Sequence, residues 1–192
     1  MRTKAIPAPP GADATDAATA STRSPTDEEP TRNASTARRK VNTVLSAVPR
    51  VPRDEADCCR RLCDRVEWID RRPVASRWLA FLRALDHVEV TSHGYARRTD
   101  ALDVDLAAAR FVDRVVLAAD VLDELDERPT TSEAAFEAVE SAVPEWERRR
   151  SADWRTDWRR RVRHLLEWAV LLDLADRQDD GYVARADDSV RR

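Results

Sequence analysis

The spacing of apolar residues divides the chain into short helices and strands. From Ala37 onward, Val41, Val44, Leu45 and Val48 recur at helical spacing, and Pro49 and Pro52 end that run. Arg50-Val51-Pro52 has room for one short strand. Asp54 stands at the cap position of a second helix whose inward face is Cys58, Cys59, Leu62, Cys63 and Val66. Pro73 suits the first turn of a third helix, which runs to about His87 with Ala75, Trp78, Leu79, Leu82 and Leu85 inward. Val88 to Thr91 then reads as a strand, Ser92-His93-Gly94 as a hairpin tip, and Tyr95 to Arg98 as the return strand.

The second half repeats this order. Ser76 to Arg98 lies without a gap on Arg163 to Arg185, at an offset of 87 residues, placing Trp78 on Leu165, Phe81 on Trp168, Leu85 on Leu172 and Asp86 on Asp173. The chain has only three glycines and two tyrosines, and the pairs Gly94-Tyr95 and Gly181-Tyr182 coincide at that offset. Sharing the rarest residues marks an internal repeat rather than a chance match of two helices. The repeat predicts one helix over Val104 to Glu127, with a stripe of Phe111, Val115, Ala118, Leu122 and Leu125 wide enough to need more than one neighbour. Thr130-Thr131-Ser132 takes the strand-and-cap position, and Ala135, Phe136, Val139 and Val143 face inward after it. Leu45 aligns with Leu122 at an offset of 77, so about ten extra residues around PEWERRRSADW lie ahead of the last helix, and they are expected to lengthen it.

Residues 1–37 hold five of the ten prolines, no aromatic residue, and Ile6 as the only large aliphatic after Met1. Such a segment cannot bury enough surface to offset its ordering entropy, so a disordered tail is expected. The expected units are therefore 38–100 and 101–186, followed by a short C-terminal tail, 187–192.

The order helix, short strand, helix, helix, hairpin resembles the winged-helix variant of the helix-turn-helix fold, and the chain also resembles haloarchaeal proteins. The fold class expected is mainly α with short β-hairpins: two tandem winged-helix-like units behind the tail. The resemblance implies a third helix able to enter the major groove and a hairpin wing resting on the backbone.

Charge sharpens that picture. Lysine occurs only at Lys4 and Lys40 beside 31 arginines, and the formal net charge is −3. Arginine for lysine with abundant Asp and Ala resembles a salt-adapted archaeal composition, and the arginine excess hints at an anionic partner. From Glu145 to His164, eight arginines stand against four acids. No apolar run approaches the ~20 residues that span a bilayer, and no apolar secretory core opens the chain, so a cytoplasmic protein without membrane contact is expected.

Site chemistry is sparse. Cys58, Cys59 and Cys63 form no disulfide framework. Cys59 and Cys63 have a spacing that could offer two metal ligands, but buried thiols explain them better, and neither metal nor cofactor is expected. No glycine-rich phosphate loop, nucleophile elbow or H-E-x-x-H motif is present, so no catalytic residues and no enzyme are expected.

The resemblance implies a DNA-binding protein, a transcriptional regulator, contacting double-stranded DNA. Arg71, Arg72, Ser76 and Arg77 would lie at one groove and Arg159, Arg160 and Arg163 at another, with Arg97 and Arg98 on phosphate. With Trp158, Val162, Leu165, Ala169 and Leu172 inward, Thr156, Arg160, Arg163, His164 and Glu167 face out. Trp154 and Trp158 read as core rather than base-stacking residues, and Asp157 and Arg161 as an ion pair along one helix. The acidic second wing tip, Gln178-Asp179-Asp180-Gly181, would repel phosphate, which favours the first copy. The alternative is a non-enzymatic protein–protein interaction module, with the Val104–Glu127 stripe as a homodimer or partner contact. Arginines cancelled by neighbouring acids would favour that alternative.

Overall fold

The computed structural model describes residues 6–10, 29–179 and 181–185, with side chains from 35 onward in the first helix. Its elements run α1 (Glu29–Ala47), α2 (Glu55–Arg65), α3 (Arg72–Ala84), β1 (Val88–Thr91), β2 (Gly94–Arg97), α4 (Val104–Arg114), α5 (Ala118–Asp123), α6 (Ser132–Val139), α7 (Glu145–Arg150), α8 (Trp154–Leu171), β3 (Ala175–Gln178) and β4 (Gly181–Ala184). Each hairpin is a two-stranded antiparallel sheet, with Val90 opposite Tyr95 in the first and Arg177 opposite Tyr182 in the second. The expected fold class is the observed one: mostly helical, with a helical unit closed by a hairpin occurring twice. No described helix is long and apolar enough to cross a membrane.

The shared Gly-Tyr pairs close the two units in the same way. Tyr95 exchanges backbone hydrogen bonds with Arg53 (2.7 and 3.0 Å), and Tyr182 does so with Thr130 (3.0 and 2.9 Å). The short strand before the second helix thus centres on Arg53, one residue beyond Arg50-Val51-Pro52. A side chain at 94 or 181 would enter this crossing: a Cβ on Gly94 would lie 2.0 Å from the Arg53 carbonyl oxygen, and one on Gly181 2.8 Å from the Pro129 side chain. The caps also match the spacing. Asp54 Oδ1 accepts from the Asp57 N–H at 2.7 Å, and Thr131 Oγ1 from the Ala134 N–H at 3.2 Å. Each satisfies a first-turn donor that has no partner within its helix.

Four expectations need correction. Val104 to Glu127 is not one helix. Val115 is extended (φ −96°, ψ 130°) and Leu117 left-handed (φ 64°), so the chain turns between α4 and α5. The β-branched pair Val115-Val116 favours extended backbone, and the uniformly apolar sequence hid the break. The turn puts Phe111, Val115, Leu117, Ala118, Val121 and Leu125 into the core, with Val121 rather than Leu122 fully covered. Second, the ten extra residues do not lengthen α8. They form α7 and a turn in which Ser151 is extended (φ −143°, ψ 137°) and its hydroxyl accepts from the Asp153 N–H at 3.2 Å. Arg148 fastens α7 by donating to the carbonyls of Glu140 (2.9 Å), Ser141 (2.5 Å) and Val143 (3.0 Å) at the end of the preceding short 3-10 turn.

Third, α1 starts at Glu29, inside the expected tail. Pro30 falls in the first turn, where its missing N–H costs nothing, and the polar residues up to Thr36 carry no apolar period to reveal the helix. Fourth, residues 6–10 pack on the core. Ile6 is 5% exposed, and the Pro7 carbonyl accepts from Trp168 Nε1 at 2.9 Å. A buried indole N–H needs an acceptor, and this strap supplies it. The remainder of the expected N-terminal tail (1–5, 11–28) and the C-terminal tail 187–192 lie outside the described residues.

One continuous hydrophobic core runs through both units. Its centre is aromatic. Trp168 meets Phe81 (centroids 4.5 Å) and the edge of Trp78 (5.8 Å, 73°), and Phe81 meets Phe111 edge-on (6.4 Å, 80°). The first helix of each unit also reaches the other unit. Arg38 of α1 donates to the Leu171 carbonyl at 2.9 Å and pairs with Asp173 at 2.6 Å. Reciprocally, Arg110 and Arg114 of α4 reach Asp86 at 3.3 and 3.8 Å. Asp86 and Asp173 are repeat equivalents, both left-handed (φ 66° and 59°), and each takes the arginine closing its own hairpin, Arg98 or Arg185, at 2.7 Å.

Candidate nucleic-acid interface

In the first unit the third helix opens with Arg71, Arg72 and Arg77 exposed. Arg71 occupies the cap position without a capping side-chain bond, and the first turn of α3 holds no acid. Helices α2 and α4 to α8 each carry at least one acid there. The open N–H groups and the helix dipole make such an end attractive to an anion. Arg71 has only its neighbour Asp70, at 3.4 Å. The Arg72 charge works against the burial that raises the Cys59 thiol, and Arg77 donates to the Pro73 carbonyl of its own helix at 3.3 Å. Ser76 is committed internally, donating to Glu55 Oε1 at 2.8 Å.

Arg97 and Arg98 do not stand out as phosphate ligands. The Arg97 side chain is only 16% exposed and lies 3.4 Å from Asp100, while Arg98 pairs with Asp86. Arg98 is drawn to the left-handed Asp86, the carboxylate that also takes Arg110 and Arg114 of the second unit.

In the second unit the arginines are largely matched by acids. Arg149 pairs with Glu145 and Arg155 with Glu140; Arg160 pairs with Asp157 at 2.8 Å. Arg161 joins Glu147 (3.0 Å) instead of Asp157, and Arg150 approaches the same carboxylate at 4.0 Å. Glu147 is 6% exposed, so its pair with Arg161 is structural. Arg159 lies over the Phe136 ring at 5.4 Å. Arg163, half-buried, has no ion pair among the described residues. Thr156 and Arg160 are exposed, but His164 and Glu167 are half-buried, because Leu166 and Trp168 are buried in addition to the expected inward face and narrow the free side of α8. Trp158 is core and Trp154 half-buried between Arg148 and Arg155.

The charged residues between third helix and wing differ between the copies. In the second unit, the Tyr182 hydroxyl donates to Glu167 at 2.6 Å, and Arg177 donates to the same oxygen at 2.9 Å. Burial, and then this bond, push the Tyr182 hydroxyl pKa up. In the first unit the charges that act on the Tyr95 hydroxyl are those of Glu55 and Arg83. Burial, and then the Glu55 charge, raise Tyr95 as well, and Arg83 works against that rise. Arg83 and Glu167 did not figure among the expected contacts. Comparing positions 80 with 167 and 83 with 170 across the repeat shows the exchange: Ala for Glu, and Arg for Val.

Cys58 and Cys59 are buried thiols. Burial, helped by the charge of Asp57, pushes Cys58 up to about 11. Among the described residues no group of three or more His, Cys, Asp or Glu side chains could hold a metal ion.

Two helical units, each closed by a β-hairpin wing, define a tandem winged-helix protein. Residues 29–189 match the halobacterial double winged helix domain, and the chain belongs to that family. No curated protein and no solved structure matches the chain.

Proposed function

We propose that the protein is a non-enzymatic, cytoplasmic, DNA-binding regulator of transcription whose first unit carries the main contact to duplex DNA. One observation carries this reading: α3 has an acid-free, uncapped N-terminus flanked by exposed Arg71, Arg72 and Arg77. Its wing tip, Thr91-Ser92-His93, adds no carboxylate. Arginine suits both jobs at such a place, since it binds phosphate as a fork and reads guanine with two hydrogen bonds. The second unit supports the first more than it duplicates it. Its arginines are tied to acids, and its helix–wing cleft holds Glu167.

Family membership supports a nucleic-acid role only at the level of the fold, and folds of this kind serve several purposes. The test is equilibrium binding to duplex DNA over a salt series. The parent should lose affinity steeply with salt, by a log–log slope of about 0.9 per phosphate engaged. Replacing Arg71, Arg72 and Arg77 together by Ala should weaken binding and flatten that slope. Equal binding by parent and triple variant across the series would remove this surface from consideration.

A second reading, protein docking by the second unit, is favoured by its neutralised arginines and by Trp146, 57% exposed on α7. The Val104–Glu127 stripe no longer supports it, because that stripe is spent on the internal core.

A further inference from the structure

The two units repeat head to tail in sequence, yet they do not pack head to tail. Phe81 and Trp168 hold the same place in the repeat, and they touch each other. Equivalent positions meet where a two-fold axis passes between them, and a two-fold further requires that flanking contacts be exchanged reciprocally between the units. The flanking contacts obey the same axis. Asp86 of the first unit takes Arg110 and Arg114 from the second unit's first helix, and Asp173 of the second takes Arg38 from the first unit's first helix. At the offset of 77 that relates those helices, Arg114 corresponds to residue 37, one position from Arg38. The chain is therefore an internal pseudo-dimer.

We infer that the DNA target is an inverted repeat with unequal halves, one half read by α3 and the other by α8. This rests on the DNA-binding reading above. A two-fold axis preserves the component of any direction along itself, so the outward faces of α3 and α8 point the same way along the axis. Duplex DNA has two-fold axes of its own perpendicular to the helix, and a dyad-related pair of reading helices meets dyad-related sequence. Arg72 lies nine residues from Phe81, and Arg160 eight from Trp168, or about 14 and 12 Å of helix. The reading ends are thus held no further apart than roughly one duplex turn, ~34 Å, and the half-sites are adjacent.

The inequality follows from the side chains. Arg71, Arg72 and Arg77 face the first half with little internal competition. On α8 the exposed residues are Arg155, Thr156, Arg159 and Arg160, and Arg155 is paired with Glu140. Arg160 would have to trade Asp157 for phosphate or base, a change that an exposed pair worth ~0.2–1 kcal/mol permits.

The test is selection of the full-length protein on a randomised duplex library, followed by footprinting of the best sequence. The expected motif is an inverted repeat with one strong and one weak half, both within about one turn of the centre. Arg72→Ala with Arg77→Ala should erase sequence preference in the strong half only. Arg159→Ala with Arg160→Ala should erase it in the weak half only. All four side chains are exposed, and folding of the variants is to be checked by circular dichroism. Enrichment of a direct repeat, or of a single half-site with a matching short footprint, would overturn this inference while leaving DNA binding intact. No enrichment over input would overturn both.

Discussion

Phe81 and Trp168 stand 87 residues apart, at one place in the repeat, and their ring centroids are 4.5 Å apart. This contact makes the protein one body. It links the third helices of both units, and Trp78, Phe111 and the Pro7 carbonyl complete the cluster. Each unit is small for an independent core, and sharing one raises the fraction of surface buried.

Unfolding should accordingly be a single transition. Phe81→Ala should destabilise the whole chain by about 3–5 kcal/mol, the range for removing a fully buried aromatic ring. Helix loss by circular dichroism and tryptophan fluorescence should report one midpoint. Two separated transitions, with one unit surviving, would show that the units are independent.

The strap over Trp168 should be measurable by itself. Ile6→Ala should cost about 2 kcal/mol, at the low end for a buried aliphatic because a short segment can relax. Trp168→Phe removes the donor to Pro7 together with ring volume. If the strap acts through that bond, the double variant should cost less than the sum of the singles in a denaturant double-mutant cycle. Strict additivity would mean that strap and indole are uncoupled.

The two wing glycines should differ. Gly94 has φ +113°, and a Cβ there would meet backbone at 2.0 Å; Gly181 would meet the Pro129 side chain at 2.8 Å. Gly94→Ala should therefore lower the melting temperature clearly more than Gly181→Ala, by several degrees for each ~1 kcal/mol in a domain of this size. Equal shifts would contradict the geometry at the Arg53–Tyr95 crossing.

The seam carboxylate is a charge test. Asp86→Asn keeps a residue that tolerates the left-handed conformation, but leaves Arg98, Arg110 and Arg114 without their shared partner. A loss of about 1–2 kcal/mol is expected at low salt, shrinking as salt screens the remaining repulsion. A loss independent of salt would point to backbone effects instead.

Cys58 provides an alkaline signature. Its thiol is raised to about 11 in the fold, while an unfolded thiol titrates near ~8.5. The neutral form is thus favoured by folding. That contribution is fully present below about pH 8.5 and is lost as pH rises through about 11. The parent should lose more stability over that window than Cys58→Ala does. At neutral pH the half-buried Cys63 should be alkylated first, with Cys58 and Cys59 protected until unfolding. Parallel pH profiles for parent and variant would exclude the effect.

Much of the fold was legible in the chain because it rests on local chemistry. Asp54 and Thr131 cap helices with their own side chains, and the Gly-Tyr pairs mark the hairpins. The rest depended on tertiary terms. An unbroken apolar run cannot show that Leu117 will turn left-handed, since the core and not the sequence period selects that turn. The strap was hidden in a composition typical of tails, because one isoleucine and a carbonyl suffice once Trp168 needs an acceptor. At the candidate interface the arginines themselves were legible. Their partners were not: Arg161 chose Glu147 across an inserted helix over Asp157 on its own. The two-fold relation is invisible in a head-to-tail repeat.

The most direct test of the account is a comparison of two triple variants in one titration against the selected duplex. Fluorescence anisotropy would be read at low and at molar salt for the parent, for Arg71→Ala/Arg72→Ala/Arg77→Ala, and for Arg159→Ala/Arg160→Ala/Arg163→Ala. The first triple should lose on the order of a hundredfold in affinity at low salt, about 1 kcal/mol per contact, and the second several-fold less. A larger loss from the second triple, or no loss from either, would contradict the claim that the first unit carries the DNA contact.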